Sequence, residues 1–235
     1  MPKVYKTEIV GYNFDELTEK VKKELYEADY TDISHMVDLE PVEDGFREDL
    51  VRRFGADTAS LELFYDVSYS PGSGACCVTD LDVDTVLDKL LDSSKCYDGR
   101  LPIDLHIVRE KHRSGVIDIS SIRVVRCGAS NHYNHENTCR VEIDYTCDLA
   151  DVGGWEGEEI THIEEYLTEE IRELLTAFHG NLQSYYEEST SFEIYCELMS
   201  DADNVYTKCG KVIDRAFIQD AQIIDLAKLF KNLNE

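Results

Sequence analysis

Apolar positions along the chain change period several times, and each change marks an element. Phe14, Leu17, Val21 and Leu25 recur at steps of three and four behind Asn13, which predicts an N-capped helix. Ahead of it, Val4 and Ile9 with Val10 predict a short strand that Gly11 ends. A second helix is expected over residues 45–54, where Phe46, Leu50 and Phe54 fall on one side and Gly55 supplies the stop. From Ser60 the period becomes two. Leu61, Leu63, Tyr65, Val67 and Tyr69 share one strand face, with Glu62, Phe64, Asp66, Ser68 and Ser70 on the other. Pro71-Gly-Ser-Gly74 turns the chain, residues 75–79 return as a hairpin partner, and Asp84 is placed to cap a helix carrying Val86, Leu87, Leu90 and Leu91.

Two further alternating segments, residues 116–126 and 140–147, flank the polar stretch 128–137 and read as a long hairpin. One polar face along each strand signals an antiparallel sheet, because strands of a buried parallel sheet are apolar on both sides. After Gly153-Gly-Trp155, Ile160, Ile163, Leu167, Ile171, Leu174, Leu175, Phe178 and Leu182 track a single helical stripe. A strand is expected at residues 191–198 and a last helix at 220–233, with Ile223 or Ile224, Ala227 and Phe230 inward. The predicted fold class is α+β: an antiparallel β-sheet meander covered by helices, with one long acidic amphipathic helix near residues 157–184. Only 4 Pro and no Pro/Gly/Ser-rich tract leave no visible linker, so residues 1–235 are expected to form a single compact domain.

Charge changes this picture most. The chain carries 49 Asp plus Glu against 23 Lys plus Arg, a formal net charge of -26 over 235 residues. With 43% hydrophobic residues it is too apolar for an acidic disordered chain, and it is expected to fold. Its field repels phosphate backbones and anionic lipids and attracts basic surfaces, so neither direct nucleic-acid nor membrane binding is expected. The excess is uneven: residues 148–235 hold 20 acids and 6 bases, whereas residues 101–147 hold 6 of each. Neither a signal-peptide-like start nor a run of about 18 apolar residues is present, which points to a soluble, cytoplasmic protein. Cys76, Cys77, Cys96, Cys127, Cys139, Cys147, Cys196 and Cys209 are scattered through a chain large enough to build its own core, and they read as small apolar residues of a reducing compartment.

The sharpest candidate for function is the outer face of the long helix. Eight glutamates and one base, Arg172, lie between Glu156 and Leu175, and Glu165, Glu169 and Glu173 stand at i, i+4 and i+8, where like charges repel. Folding alone would not select that row. Carboxylates spaced by roughly 6 Å can imitate a phosphate backbone, so Glu158, Glu165, Glu169 and Glu173, helped by Glu187, Glu188, Glu193, Asp201 and Asp203, are expected to dock on a basic groove. The plainer reading is a solvated helix face that keeps the protein soluble.

Other constellations are weaker. Asp80, Asp82 and Asp84 start like a calcium loop, but Thr85 stands where Gly is needed and Leu91 where a Glu would close the site; a strand's polar face plus a helix cap is the simpler reading. Cys127, His132, His135 and Cys139 supply zinc-type ligands without the usual paired spacing, and the sequence leaves open whether they bind a metal. No nucleophile elbow or phosphate-binding loop is recognisable, so no catalytic residues and no cofactor are expected. The locally basic run 109–113, with Arg123 and Arg126, reads as counter-charge to neighbouring acids.

The segment Phe64-Tyr-Asp-Val-Ser-Tyr-Ser-Pro-Gly-Ser-Gly-Ala75, followed later by His132-Tyr-Asn-His135-Glu, resembles a group of phage proteins. Those share an aromatic strand running into a Ser-x-x-Gln-Gly-Asp-Gly-like turn and a Tyr/His-containing hairpin. Pro71 and Ser73 depart from that turn. The resemblance spans residues 61–182, implies phage origin and carries over no catalytic residue. Phage origin with extreme acidity resembles, as a class, the DNA-mimicking inhibitors directed at restriction and CRISPR enzymes. The expected function is therefore a non-enzymatic counter-defence inhibitor in the host cell cytosol, whose partner is a basic nucleic-acid-binding protein such as a CRISPR effector or restriction enzyme. Two alternatives stand beside it: an antitoxin-like or regulatory binding module without mimicry, and a metal-dependent phosphodiester hydrolase. The apolar stripe of the long helix can face its own sheet or a second copy, which leaves a homodimer open.

Overall fold

A computed structural model describes residues 10–92, 101–127, 133–147 and 156–213. The expected strand around Val4 and Ile9, the segment Gly153-Gly-Trp155 and the expected helix at 220–233 lie outside the described residues. In chain order the elements are a 3-10 turn Phe14–Glu16, α1 Glu19–Met36, α2 Glu40–Phe54, β1 Glu62–Tyr65, β2 Ala75–Leu81, α3 Val83–Asp92, α4 Leu101–Arg113 and β3 Ile117–Arg126. A 3-10 turn Glu136–Thr138, β4 Cys139–Cys147, α5 Glu156–Ser189 and α6 Phe192–Asp201 complete them. The fold is α+β, with a four-stranded antiparallel sheet in the order β1-β2-β3-β4. Contacts divide the chain into two compact units, Asp38–Tyr186 and a second drawing on Met1–Val37 and Glu187–Glu235.

In the unit Asp38–Tyr186 the meander follows from alternation and turns. Burial alternates along β3 and β4, so one face packs inward while Asp118, Asp144 and Thr146 meet solvent. A register shift between Ile119 and Ser121 changes the phase of β3, which lets Ile117 and Ile119 before it and Ile122 and Val124 after it all point inward. The eight stripe residues of α5 are all buried, Ile163, Leu167, Leu175 and Leu182 completely, in the same core as these strands. The stripe therefore faces its own sheet. Each such side chain contributes roughly 1.5–3 kcal/mol of hydrophobic stabilisation.

The flank of the same helix closes the open edge of the sheet. β4 is an edge strand, and its outward backbone groups find side chains on α5. The Ile143 N–H donates to a Glu164 carboxylate oxygen at 2.7 Å, the Val141 N–H donates to the Thr168 hydroxyl at 2.9 Å, and Arg172 Nε donates to the Cys139 carbonyl at 3.1 Å. Edge groups left bare would invite pairing with another chain.

Several expectations need correction. The expected strand from residue 60 to 70 ends at Tyr65, because the Asp66 N–H bonds the Gly74 carbonyl (3.0 Å) and the Asp66 side chain accepts the Ser68 N–H (2.8 Å), closing the turn early. The second helix begins at Glu40 rather than Gly45: Asp38 accepts the Glu40 N–H, Pro41 sits in the first turn, and Gly45 stays inside the helix. Its end is as expected, at Gly55 with φ 64. The cap of α3 is Asp82, which accepts the Thr85 N–H at 2.7 Å, and Asp84 lies in the first turn. The helix α4 has no counterpart among the elements expected from the hydrophobic pattern.

In the second unit, the single helix expected from Phe14 is two pieces. The Asn13 N–H donates to the Glu16 carboxylate (2.8 Å) and closes a 3-10 turn, Leu17 and Thr18 are extended, and α1 starts at Glu19. Phe14 and Leu17 are thereby buried with Tyr195 and Tyr206, the Phe14 ring lying edge-on to both at 5.8 and 5.9 Å. The strand expected at 191–198 is the helix α6. Ser191 accepts the Ile194 N–H as its N-cap, and Phe192, Tyr195, Cys196 and Met199 recur at helical steps toward the aromatic cluster. Tyr195 donates to Asp29 at 2.8 Å and Tyr26 donates to the Thr190 carbonyl at 2.7 Å.

The edge closure is testable. Glu164→Ala removes the acceptor of a part-buried N–H and is expected to cost about 1–3 kcal/mol in urea unfolding. Glu164→Gln, which keeps an acceptor oxygen, should restore most of it. Equal stability of Glu164→Ala and the parent chain would refute the closure.

Candidate partner-binding face

The edge closure sets the rotation of α5, and that rotation decides which glutamates are outward. Glu164 turns to β4; the next residue, Glu165, turns to solvent with Glu169 and Glu173 at steps of four. Glu158, seven residues earlier, lies on the same side. At about 1.5 Å rise per residue the four span roughly 22 Å. All four are exposed. Arg172, which holds the Cys139 carbonyl, also reaches Glu169 at 3.0 Å and takes part of its charge. Such exposed pairs are worth about 0–1 kcal/mol. A cleft of about 560 Å³ lies beside the row, bordered by Arg140, Thr161, Glu165 and Glu169.

The arginines of this unit are largely spent on its own acids. Arg109 and Arg113 both meet Asp88 (2.7 and 2.9 Å), Arg123 meets Asp144 (2.7 Å), and Arg140 meets Glu142. The basic run 109–113 therefore serves as counter-charge. Arg126 stands over the Phe64 ring at 4.9 Å and donates to the Tyr133 carbonyl.

The remaining members of the expected face lie in the other unit. Glu187 and Glu188 are near the end of α5, Glu193 is in the first turn of α6 where a negative charge suits the helix dipole, and Asp201 and Asp203 follow at its end. The structure thus brings Glu158, Glu165, Glu169 and Glu173 together on one helix side and places Glu187, Glu188, Asp201 and Asp203 in the second unit.

Among the described residues the metal-type side chains do not converge: no three His, Cys, Asp or Glu side chains gather as a metal site requires. His132 lies outside the described residues. Cys139 points inward, its thiol donating to the Cys77 carbonyl (3.4 Å) and accepting the Cys77 N–H (3.3 Å), while His135 Nδ1 accepts the Asn137 N–H. Asp80 is on the polar side of β2. The Cys76 thiol pKa is raised by its hydrogen bond with Cys139 and then by burial. For Cys139, the bond with Cys76 lowers the pKa, but the bond to Cys77 and burial outweigh it and push it up to about 12. Cys209 is exposed beside the Thr207 hydroxyl at 3.2 Å, which lowers its pKa.

Two features escaped the sequence reading. Asp104 on α4 is only 4% exposed and lies 2.6 Å from His162 Nδ1 on α5. Nothing in the spacing of residues 58 positions apart announces that pair. The second is the meeting of the turn after β1 with the loop before β4. A Cβ on Gly72 (φ 97) would stand 2.1 Å from the Tyr133 ring, and one on Gly74 would stand 2.6 Å from the Asn134 carbonyl. These glycines admit the loop.

No protein-family model matches the chain, and neither curated proteins nor solved structures yield a match. No described helix is long and apolar enough to cross a membrane.

Thiol chemistry should follow the environments. Near neutral pH, Cys209 is expected to be alkylated readily, while Cys76, Cys77 and Cys139 react only on unfolding, as read by peptide mass mapping. Early modification of Cys139 would contradict its buried placement. His162→Ala removes one partner of a buried carboxylate and is expected to cost about 1–3 kcal/mol, with a coupling of at least about 1 kcal/mol to Asp104→Asn in a double-mutant cycle.

Proposed function

We propose that this chain is a phage counter-defence protein that lays the acidic side of α5 into the basic nucleic-acid-binding channel of a host defence nuclease, a CRISPR effector or restriction enzyme, in place of a polynucleotide. The observation that carries the reading is the exposed row Glu158, Glu165, Glu169 and Glu173 on one side of a single helix, in a unit where Arg109, Arg113, Arg123 and Arg140 meet other carboxylates and Arg172 meets Glu169. Repulsion along such a row works against folding. It serves instead to present charge at a repeat set by the helix, and a clustered field of this sign raises encounter rates with a basic channel. The protein acts by occupancy, at one copy per target, and contacts neither nucleic acid nor membrane.

The test is binding to purified nucleases, with and without their nucleic acid, across a salt series. Binding is expected only to the free nuclease, to weaken steadily between about 50 and about 200 mM NaCl, and to exclude the nuclease's own nucleic acid. Glu165→Lys, Glu169→Lys and Glu173→Lys together should weaken it by about tenfold or more, chiefly through slower association. Affinity that ignores both salt and the triple reversal would remove the mimic, and turnover of a phosphodiester would replace it with a hydrolase.

A further inference from the structure

We infer that the tip where the turn after β1 meets the loop before β4 is the anchoring part of the same interface, with Tyr69 and Tyr133 as its anchor side chains; this rests on the reading of α5 as the steering face. Tyr69 is 72% exposed and Tyr133 53% exposed, two of the largest exposed apolar side chains among the described residues of this unit. Local contacts hold the chain around both. The Tyr133 ring lies against Gly72, whose φ of 97 and missing Cβ make the approach possible. The Tyr133 carbonyl accepts from Arg126 at 2.8 Å, and Arg126 is itself held over Phe64. On the other side, the Ser73 N–H bonds the Ser70 carbonyl at 3.0 Å and the Ser68 and Ser70 hydroxyls meet at 2.8 Å.

The tip lies past the C-terminal end of the acidic row, on the flank of α5 that carries Arg172. His179 Nε2 on α5 lies 3.0 Å from the Asp66 carbonyl, just before Tyr69 in the chain. It stands six residues past Glu173, or about 9 Å further along the helix axis. Tyrosine brings a large flat surface, few torsions to freeze and a polar end, which is why interface energy concentrates on such residues. Exposed carboxylates act mainly on the rate of encounter. The two parts therefore divide the work: Glu165, Glu169 and Glu173 set the association rate and its salt dependence, and Tyr69 and Tyr133 set the lifetime, against apolar surface or an arginine of the basic partner.

The experiment is surface plasmon resonance of the full chain against two purified probes, an RNA-guided nuclease without guide and a restriction endonuclease without DNA. Thermal midpoints of each variant serve as the folding control. Tyr69→Ala and Tyr133→Ala are expected to raise the dissociation rate by about tenfold each while leaving association and its salt slope unchanged, and Tyr→Phe at both positions should restore the lifetime. An unchanged dissociation rate overturns the anchor, and if the glutamate reversals still slow association the mimic reading survives it. Tyrosine effects with no glutamate effect overturn the mimic and leave the tip as the interface. Failure of both probes to bind overturns both.

Discussion

The structure depends on a match of repeats between a helix and a strand edge. Every fourth residue of a helix advances about 6 Å, and every second residue of an antiparallel strand about 6.8 Å. The mismatch is small enough for two successive steps, so Glu164, Thr168 and Arg172 reach the backbone of Ile143, Val141 and Cys139 in turn. This does more than satisfy an edge. Two opposite constraints, an apolar stripe that must be buried and a polar flank that must meet β4, leave α5 one rotation about its axis. The outward row of glutamates is the remainder after both are met.

The electrostatics follow from that geometry. Arginines near the sheet are held by Asp88, Asp144 and Glu142, so their charges cancel locally. The surplus of acid then appears on the exposed side of α5, at Glu158, Glu165, Glu169 and Glu173, with Glu169 shared by Arg172. Local choices that oppose folding without a structural gain mark the places where function is to be sought. By the same standard Glu164, one residue from Glu165, is a structural residue, and Glu193 has a helix terminus to justify it.

What was legible depended on how much of an element's character lies in its own period. The stripe of α5 was, because eight apolar positions at helical steps admit no other element. So were β3 and β4, whose alternation is bounded by polar stretches, although the bulge that rephases β3 was not. Segment 191–198 misled because Phe192, Ile194, Tyr195 and Cys196 suit either period; Ser191 as N-cap and the waiting aromatic cluster decided for a helix. The helix α4 escaped because few of its described residues are core residues, Leu105 and Val108 among them, and its end looks only like a basic patch. Of the candidate face, the charge run could be read, but not which glutamates point outward.

The sequence alone determined the sign and size of the charge, the α+β class and the inward stripe of the long helix, since each is a property of composition or of one segment's repeat. Tertiary structure decided the rotation of α5 against β4, the pairing of Asp104 with His162 and the seating of Tyr133 on Gly72. Those rest on contacts between residues far apart in the chain, and such contacts leave no periodic trace in either partner.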